Sequence, residues 1–264
     1  MNLLAVPSRT RFDLNFRLFG IPIRIHPLFW LTCFLLGGGR KEPGVLLIWA
    51  VCVFFSILLH ELGHVAAMIW AGDRGDIVLH GFGGLAIPYY GKGGPTKQAV
   101  ISAAGPVAGF VLAALVWAGV VATGGSVEVS FRSLGFPRFD PEVASLVALG
   151  VPLRMYYFIH YAAFFLLYIN IYWGLLNLLP VYPLDGGQMT RALWERRDPL
   201  NGERRSLQLS MYVAGAVALL ALPSNNLYQV LLFGTLAFGS YQALQVRTPL
   251  RHVPPENPYA WRRY

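Results

Sequence analysis

Charged residues are scarce in this chain. Of its 264 residues, 13% are Asp, Glu, Lys or Arg, while 55% are hydrophobic. A soluble globular domain carries about 25% charged residues. The deficit excludes an ordinary soluble domain and indicates a membrane protein.

Cysteine is also rare, and two other features are missing. Cys33 and Cys52 both lie in apolar runs, which excludes a disulfide framework and a CxxC metal pattern. The sequence has no internal repeat. Residues 1–17 contain no apolar core, so we expect no cleavable signal peptide.

Long apolar runs, by contrast, are plentiful. A membrane-spanning helix needs about 20 predominantly apolar residues. Six segments approach or exceed that length, although the first is short: residues 26–39, 45–71, 98–121, 155–179, 207–222 and 227–244. Just before the first, Ile21, Ile23 and Ile25 alternate with other residues, which predicts a strand. We therefore expect an all-α membrane protein of about six transmembrane helices, with a small β element near the N terminus.

Basic residues are unevenly distributed along the chain. The net charge is +8. Fifteen lysines and arginines lie on one predicted side of the membrane and five on the other. The positive-inside rule then places both termini in the cytoplasm. The distribution of basic residues is explained by the orientation of the chain in the membrane. The expected partner is therefore the lipid bilayer and not nucleic acid. Residues 1–246 form the predicted transmembrane core, and residues 247–264 a basic, proline-rich cytoplasmic tail.

The second apolar segment contains the sequence HELGH. At 100° per residue, His60 and His64 lie about 40° apart on one helical face, and Glu61 lies beside them. Imidazoles at positions i and i+4 can bind one Zn²⁺, and the adjacent carboxylate can take a proton from water. The alternative is that the histidines are hydrogen-bonded core residues and Glu61 pairs with an arginine. Since ionisable residues inside a membrane span mark function by default, the pattern favours a metal site.

A catalytic zinc needs a third protein ligand. Asp185 follows the fourth predicted helix and arrives on the same cytoplasmic side as His60. Pro180 and Pro183 interrupt that helix, while Gly186 and Gly187 permit close backbone approach. The alternative role for Asp185 is the N-cap of a helix over residues 186–196.

Three other histidines are weaker candidates for that ligand. His160 begins the fourth predicted helix on the outer side, about 37 Å of helix from Asp185. His26 and His80 each stand alone near an interface, where an ordinary hydrogen-bonded histidine is expected.

These motifs together resemble the site-2 protease family of intramembrane zinc metalloproteases. HELGH in a transmembrane helix and the downstream NLLPVYPLDGG are its specific features. The segments GIPIRIHPLFWL, GFGGLA and AAGPVAG extend the resemblance over most of the chain.

The resemblance implies a function and a set of site residues. One zinc per chain would be held by His60, His64 and Asp185, with Glu61 as general base, in an endopeptidase acting in regulated intramembrane proteolysis. Asn177 would position substrate or stabilise the oxyanion, its alternative being a helix-packing amide. Residues around Gly81 to Ala86, with Gly83, Gly84 and Leu85 as the substrate-binding positions, would form a membrane-associated loop or strand edge that receives an extended substrate. A plain connecting turn is the alternative for that loop after the second helix.

Two departures from the family pattern stand out. Gly109 replaces the asparagine that often ends the GPxxN motif, so any role of that asparagine is absent or lies elsewhere. The Gly105–Gly109 spacing instead suits close helix packing. Because the loops and the tail in this sequence are short, we expect no PDZ or CBS module within it.

Two other classes of function remain open at this point. The first is a metal-binding membrane transporter, and the second is a catalytically silent scaffold that binds membrane proteins. For the protease, the resemblance implies a single-pass transmembrane substrate, and the positive-inside rule places the active site toward the cytoplasmic side. The compact chain suggests a prokaryotic cell membrane.

Overall fold

The structure is a computed structural model that describes residues 7–37, 39, 42–90, 93–131, 137–143, 145–224 and 227–246. The predicted tail, residues 247–264, lies outside the described residues. The described chain is mainly helical, with helices α1 Pro27–Gly37, α2 Pro43–Trp70, α3 Pro95–Ala122, α4 Ser145–Ala148, α5 Leu153–Asn177, α6 Asp185–Arg197, α7 Gly202–Ala221 and α8 Leu227–Val246. Its strands are β1 Leu14–Leu18, β2 Ile21–Ile25, β3 Gly75–His80, β4 Gly83–Pro88, β5 Ser126–Phe131 and β6 Pro137–Glu142.

Three of the helices, α2, α3 and α5, are long and apolar enough to cross a membrane. Helices α2 and α3 have 28 residues each, or about 42 Å, which exceeds the roughly 30 Å of bilayer hydrocarbon. Pro43 and Pro95 open α2 and α3, where the missing N–H costs no helical hydrogen bond. Helix α1 is apolar but has only 11 residues.

Helices α2, α3 and α5 pack closely because glycines face their neighbours. A Cβ on Gly63 of α2 would lie 2.5 Å from the carbonyl oxygen of Ala104 in α3. A Cβ on Gly174 of α5 would lie 2.8 Å from the Phe110 ring of α3. Small residues allow this approach where lipid supplies no hydrophobic driving force.

A four-stranded sheet joins the N-terminal strands to the loop after α2. Its order is β1-β2-β3-β4, with β2 and β3 parallel and the other pairs antiparallel. Ile23, Ile25, Ile77 and Leu79 are buried at 3% exposure or less. Strand β2 confirms the strand predicted from the isoleucine alternation. The loop after α2 forms the β3–β4 hairpin, so the plain-turn alternative is wrong. Strands β5 and β6 form a second hairpin that was not predicted.

A broken segment, residues 178–184, connects α5 to α6. Helix α6 then starts directly at Asp185. A Cβ on Gly186 would lie 2.1 Å from the Leu178 carbonyl oxygen, and one on Gly187 would lie 2.4 Å from the Val181 carbonyl carbon. The close backbone approach predicted for these glycines is confirmed. It brings the start of α6 back against the broken segment.

Helices α7 and α8 form a pair that packs on the broken segment through two buried serines. The backbone N–H of Tyr182 donates to Ser210 Oγ at 2.8 Å. Ser210 and Ser240 hydroxyls are hydrogen-bonded at 2.8 Å. The pair of helices therefore braces the segment that leads to Asp185.

Candidate metal site

The histidines of HELGH face the protein interior from one side of α2. His60 and His64 are 4% and 7% exposed, and their Nε2 atoms are 3.1 Å apart. They come together because positions i and i+4 share a helical face.

Asp185 reaches the same point from the first residue of α6. Its Oδ2 lies 3.0 Å from His60 Nε2 and its Oδ1 lies 3.3 Å from His64 Nε2. No side-chain capping hydrogen bond forms at the start of α6, so the carboxylate faces the histidines and the N-cap alternative is wrong.

The three donors match the requirements of a zinc ion. Two ligands of a tetrahedral zinc, each at about 2.0–2.1 Å, are about 3.3 Å apart. The two histidine nitrogens are 3.1 Å apart, and one Asp185 oxygen lies 3.0 Å from His60 while the other lies 3.3 Å from His64. With one ligand atom taken from each residue, the three atoms lie within 4.8 Å of one another. Two imidazoles and one carboxylate are also typical of catalytic zinc sites. His60, His64 and Asp185 thus form a group that can hold a metal ion.

Helix α3 orients His64 and closes one side of the site. The Ile101 carbonyl oxygen lies 2.7 Å from His64 Nδ1 and accepts its proton. This fixes the tautomer in which the Nε2 lone pair faces the metal position. A Cβ on Gly105 would lie 2.3 Å from His64 Nε2 and 2.7 Å from His60 Nε2. Gly105 therefore leaves the space that the metal needs.

Glu61 lies between the metal ligands and the sheet. It is 5% exposed, and a Cβ on Gly84 of β4 would lie 2.4 Å from its Oε1. Gly83, the residue before, packs against the Trp173 ring of α5. Leu85 is partly buried in the same strand. Among the described residues β4 pairs on one side only, so an open strand edge lies beside Glu61.

A buried amide of α5 contacts α2 at Ser56, which lies one helical turn before His60. Asn170 Nδ2 donates to Ser56 Oγ at 2.9 Å and to the Leu166 carbonyl at 2.8 Å. A Cβ on Gly109 would be 3.3 Å from Asn170 Oδ1. The amide of Asn170 in α5 thus occupies the space in front of Gly109, where the family often has its own asparagine.

Polar side chains link the N-terminal part of α3 to α6, close in sequence to Ile101 and Asp185. Gln98 Nε2 donates to Ser102 Oγ at 3.2 Å and lies 3.5 Å from Gln188 Oε1 of α6. Gln188 Nε2 in turn donates to the Pro183 carbonyl at 3.3 Å. The metal site therefore has a polar side among its otherwise apolar surroundings.

The remaining sequence candidates lie outside the metal group. Asn177 is the last residue of α5, and its amide donates to the Trp173 carbonyl at 2.9 Å. His160 stacks on Tyr156.

His26 and His80 are hydrogen-bonded histidines, as predicted. The backbone N–H groups of Leu28 and Phe82 donate to their Nδ1 atoms. Burial, with His26 and Arg24 nearby, lowers the pKa of His80. His80 therefore stays neutral and accepts its hydrogen bond.

Sequence reasoning missed the contribution of α3. It interpreted Gly105 only as a packing residue and overlooked the Ile101 carbonyl and Asn170. The available signal was AAGPVAG, a run of small residues in an apolar helix, which allows another helix to approach closely. The pattern does not reveal which side chain of the neighbouring helix packs against these small residues.

The fold and the site together define a class: a helical membrane protein with a buried metal site of the metalloprotease type. The sequence profile of peptidase family M50 matches residues 48–221. The chain belongs to this family, the site-2 proteases, which confirms the resemblance seen in its motifs.

Individual relatives agree with that membership. A zinc metalloprotease of Methanocaldococcus jannaschii is 26% identical over 88% of this chain. A Synechocystis protein is 29% identical over 67% of it. The chain spans 60% and 43% of the lengths of these relatives. The solved structure of a site-2 protease from Methanocaldococcus jannaschii covers 92% of this chain and 99% of its own, with a TM-score of 0.55 and 21% identity. That match shows a shared fold.

Proposed function

We propose that this chain is a zinc-dependent endopeptidase that cuts a peptide bond in or near a transmembrane segment of another protein. One observation carries the proposal. Three metal-binding side chains meet within 3.3 Å of one another, with a buried glutamate beside them, among helices of membrane-spanning length.

In this proposal, His60, His64 and Asp185 hold one zinc ion, and Glu61 is the general base. Zinc, when bound, supplies Lewis-acid activation of water and of the peptide carbonyl. The Ile101 carbonyl keeps His64 in the ligating tautomer, and Gly105 keeps the metal position open.

Glu61 transfers the proton in the proposed reaction. Its carboxylate accepts a proton from the attacking water and delivers it to the leaving amine. The contact with Gly84 restricts the carboxylate on the side of the sheet. Water reaches the site past Gln98 and Gln188, which are the polar side chains on that approach.

The substrate binds in an extended form. A helix hides its carbonyls in its own hydrogen bonds, so the substrate must unwind before it is cut. Pairing with the open edge of β4, along Gly83, Gly84 and Leu85, satisfies the exposed backbone. Asn177 contributes to positioning the substrate. A single-pass transmembrane protein fits this scheme, in regulated intramembrane proteolysis.

The proposed placement has about six membrane segments: helices α2, α3, α5, α7 and α8 and the segment around α1, whose 11 helical residues are too few to cross alone. Both termini are cytoplasmic, and the metal site lies in the cytoplasmic half of a prokaryotic cell membrane. The β1–β4 sheet is membrane-associated. Residues 1–246 form the catalytic core and residues 247–264 a separate cytoplasmic tail.

The direct test compares two variants of the purified protein. Glu61→Gln removes the base and leaves the three ligands, so we expect normal zinc content with cleavage reduced at least about 1,000-fold. Asp185→Ala removes a ligand, so both zinc and cleavage should be lost. The readouts are metal analysis and cleavage of a helical membrane substrate in vesicles. Full activity in Glu61→Gln would exclude the proposed base, and undiminished zinc in Asp185→Ala would exclude the third ligand.

A further inference from the structure

The turn between α6 and α7 is rich in charge. We define the α6–α7 connector as residues 191–205. It contains five arginines and three acidic residues: Arg191, Arg196, Arg197, Arg204, Arg205, Glu195, Asp198 and Glu203.

Two of the arginines form ion pairs with all three acidic residues. Arg191 pairs with Glu195 and with Glu203, each at 2.7 Å. Arg205 lies 3.6 Å from Asp198. The Asn201 backbone amide lowers the pKa of Asp198, so this carboxylate is ionised at neutral pH.

Three arginines remain exposed. Arg196, Arg197 and Arg204 are at the surface and have no ion pair among the described residues. They form a local excess of positive charge, which the connector's own acids do not neutralise.

The position of the connector relative to the bilayer follows from helix geometry. Gln188 contacts Gln98, which fixes α6 and α3 at a common level. From Gln188, α6 continues for nine residues to Arg197, a distance of about 14 Å along the helix. From Gln98 back to the first residue of α3, Pro95, the distance is only about 5 Å. The connector therefore extends past the end of α3.

Exposed aromatic residues mark the membrane surface at this end of the molecule. Trp70 at the end of α2 is 71% exposed, and Tyr90 before α3 is 85% exposed. Trp and Tyr are enriched at the level of lipid headgroups. The polar layer extends about 5–8 Å beyond the hydrocarbon on each side, so long arginine side chains of the connector reach it.

The last turn of α6 has the pattern of an interfacial anchor. Leu193 is 49% exposed, and Arg196 and Arg197 follow it by three and four residues on the same face. In the proposed placement the apolar side chain lies toward the bilayer and the charges lie one turn further out, where long arginine side chains reach the headgroup level.

We propose that Arg196, Arg197 and Arg204 bind the phosphate groups of anionic phospholipids. Charge complementarity identifies the occupant, because the guanidinium groups match phosphate geometry and the acids that would compete are already paired. The contact holds the end of α6, the helix that begins at Asp185. It requires the membrane placement but not proteolysis.

The test is a lipid titration of the full-length protein in detergent, followed by native mass spectrometry. Phosphatidylglycerol is compared with phosphatidylcholine. Each arginine near anionic lipid contributes about five-fold in affinity. We expect the wild-type protein to prefer phosphatidylglycerol by at least about ten-fold, and the triple variant R196Q/R197Q/R204Q to lose that preference. High salt should weaken the wild-type preference.

Two control variants make the result specific. R9Q/R11Q/R17Q removes the same charge from exposed arginines elsewhere and should retain the preference. R196K/R197K/R204K keeps the charge and should retain most of it, and zinc content checks that each variant is folded. The proposal is overturned if the glutamine variant of the connector binds as wild type, if both glutamine variants lose equally, or if the lysine variant also loses the preference. Displacement of the lipid by inorganic phosphate at millimolar concentration would likewise overturn it in favour of a soluble phosphate.

Discussion

Gly105 shows how one missing side chain makes the metal site possible. The residue lies in the middle of α3, where glycine costs about 0.5–1 kcal/mol relative to alanine. Its Cβ would stand 2.3 Å from His64 Nε2, inside the space for the ion. Glycine lowers the stability of the helix at this position, but any larger residue would fill the metal position.

Gly105→Ala should therefore abolish zinc binding without unfolding the protein. We expect zinc affinity to fall at least about 100-fold. The His60 and His64 rings must shift to clear the new Cβ, which offsets the gain in helix propensity, so the metal-free protein should stay folded with a melting temperature no higher than that of the wild type. Competition with a fluorescent chelator and thermal unfolding measure the two quantities. Gly119→Ala is the matched control, because nothing lies within 4 Å of its Cβ in the same helix. Equal zinc affinity in the two variants would contradict this account of the site.

Ser210 is a second residue expected to affect zinc binding, although it is not a metal ligand. It accepts the Tyr182 N–H, three residues before Asp185. Ser210→Ala leaves that partly buried donor without its serine partner, which costs about 1 kcal/mol, and should loosen the broken segment. We expect zinc affinity to fall about ten-fold, by chelator competition. Ser240→Ala leaves the Tyr182 contact intact and should have a smaller effect; a larger effect from Ser240→Ala would show that the serine pair, and not the segment, matters.

At the scale of helices and strands, one polar contact ties α5 to the helix that carries the metal ligands. Asn170 donates to Ser56, one turn before His60. A double-mutant cycle with Ser56→Ala and Asn170→Ala should give a coupling of about 0.6–1.7 kcal/mol. Reversible unfolding in mixed micelles measures it. Additive single effects would show that the two side chains act independently.

The helices were predictable from sequence to within a few residues. Apolar segments 45–71, 98–121 and 155–179 correspond to Pro43–Trp70, Pro95–Ala122 and Leu153–Asn177. Length and apolarity are properties of a local stretch, so a single sequence reveals them. That all six apolar helices cross the membrane stays a prediction.

Pairing between distant strands and helices was harder to predict. The parallel contact of β2 with β3 joins Ile23 to Ile77, and no local pattern encodes such a partner. His60, His64 and Asp185 were predictable because metal chemistry restricts the residue types and spacing. Ile101 was not, since its backbone carbonyl has no sequence signature.

At the scale of the whole molecule, the proposed orientation can be tested by cysteine labelling. In a Cys33→Ala/Cys52→Ala background, Glu128→Cys in β5 and Asn201→Cys in the connector present exposed thiols. A membrane-impermeant maleimide should label Glu128→Cys in intact cells. It should reach Asn201→Cys only after the membrane is opened. The reverse pattern would invert the topology and place the metal site in the outer half of the bilayer.

The metal ligands also have a consequence for biosynthesis. His60 and Asp185 are separated by 125 positions along the chain, and translation proceeds from the N terminus. A ribosome-bound chain that ends before the broken segment has both histidines in the membrane but no third ligand. Any chemistry of the site must therefore wait until α2, α3 and α5 have all been inserted and α6 has emerged. Under the proposed function, a partly synthesised chain cannot cleave neighbouring membrane proteins.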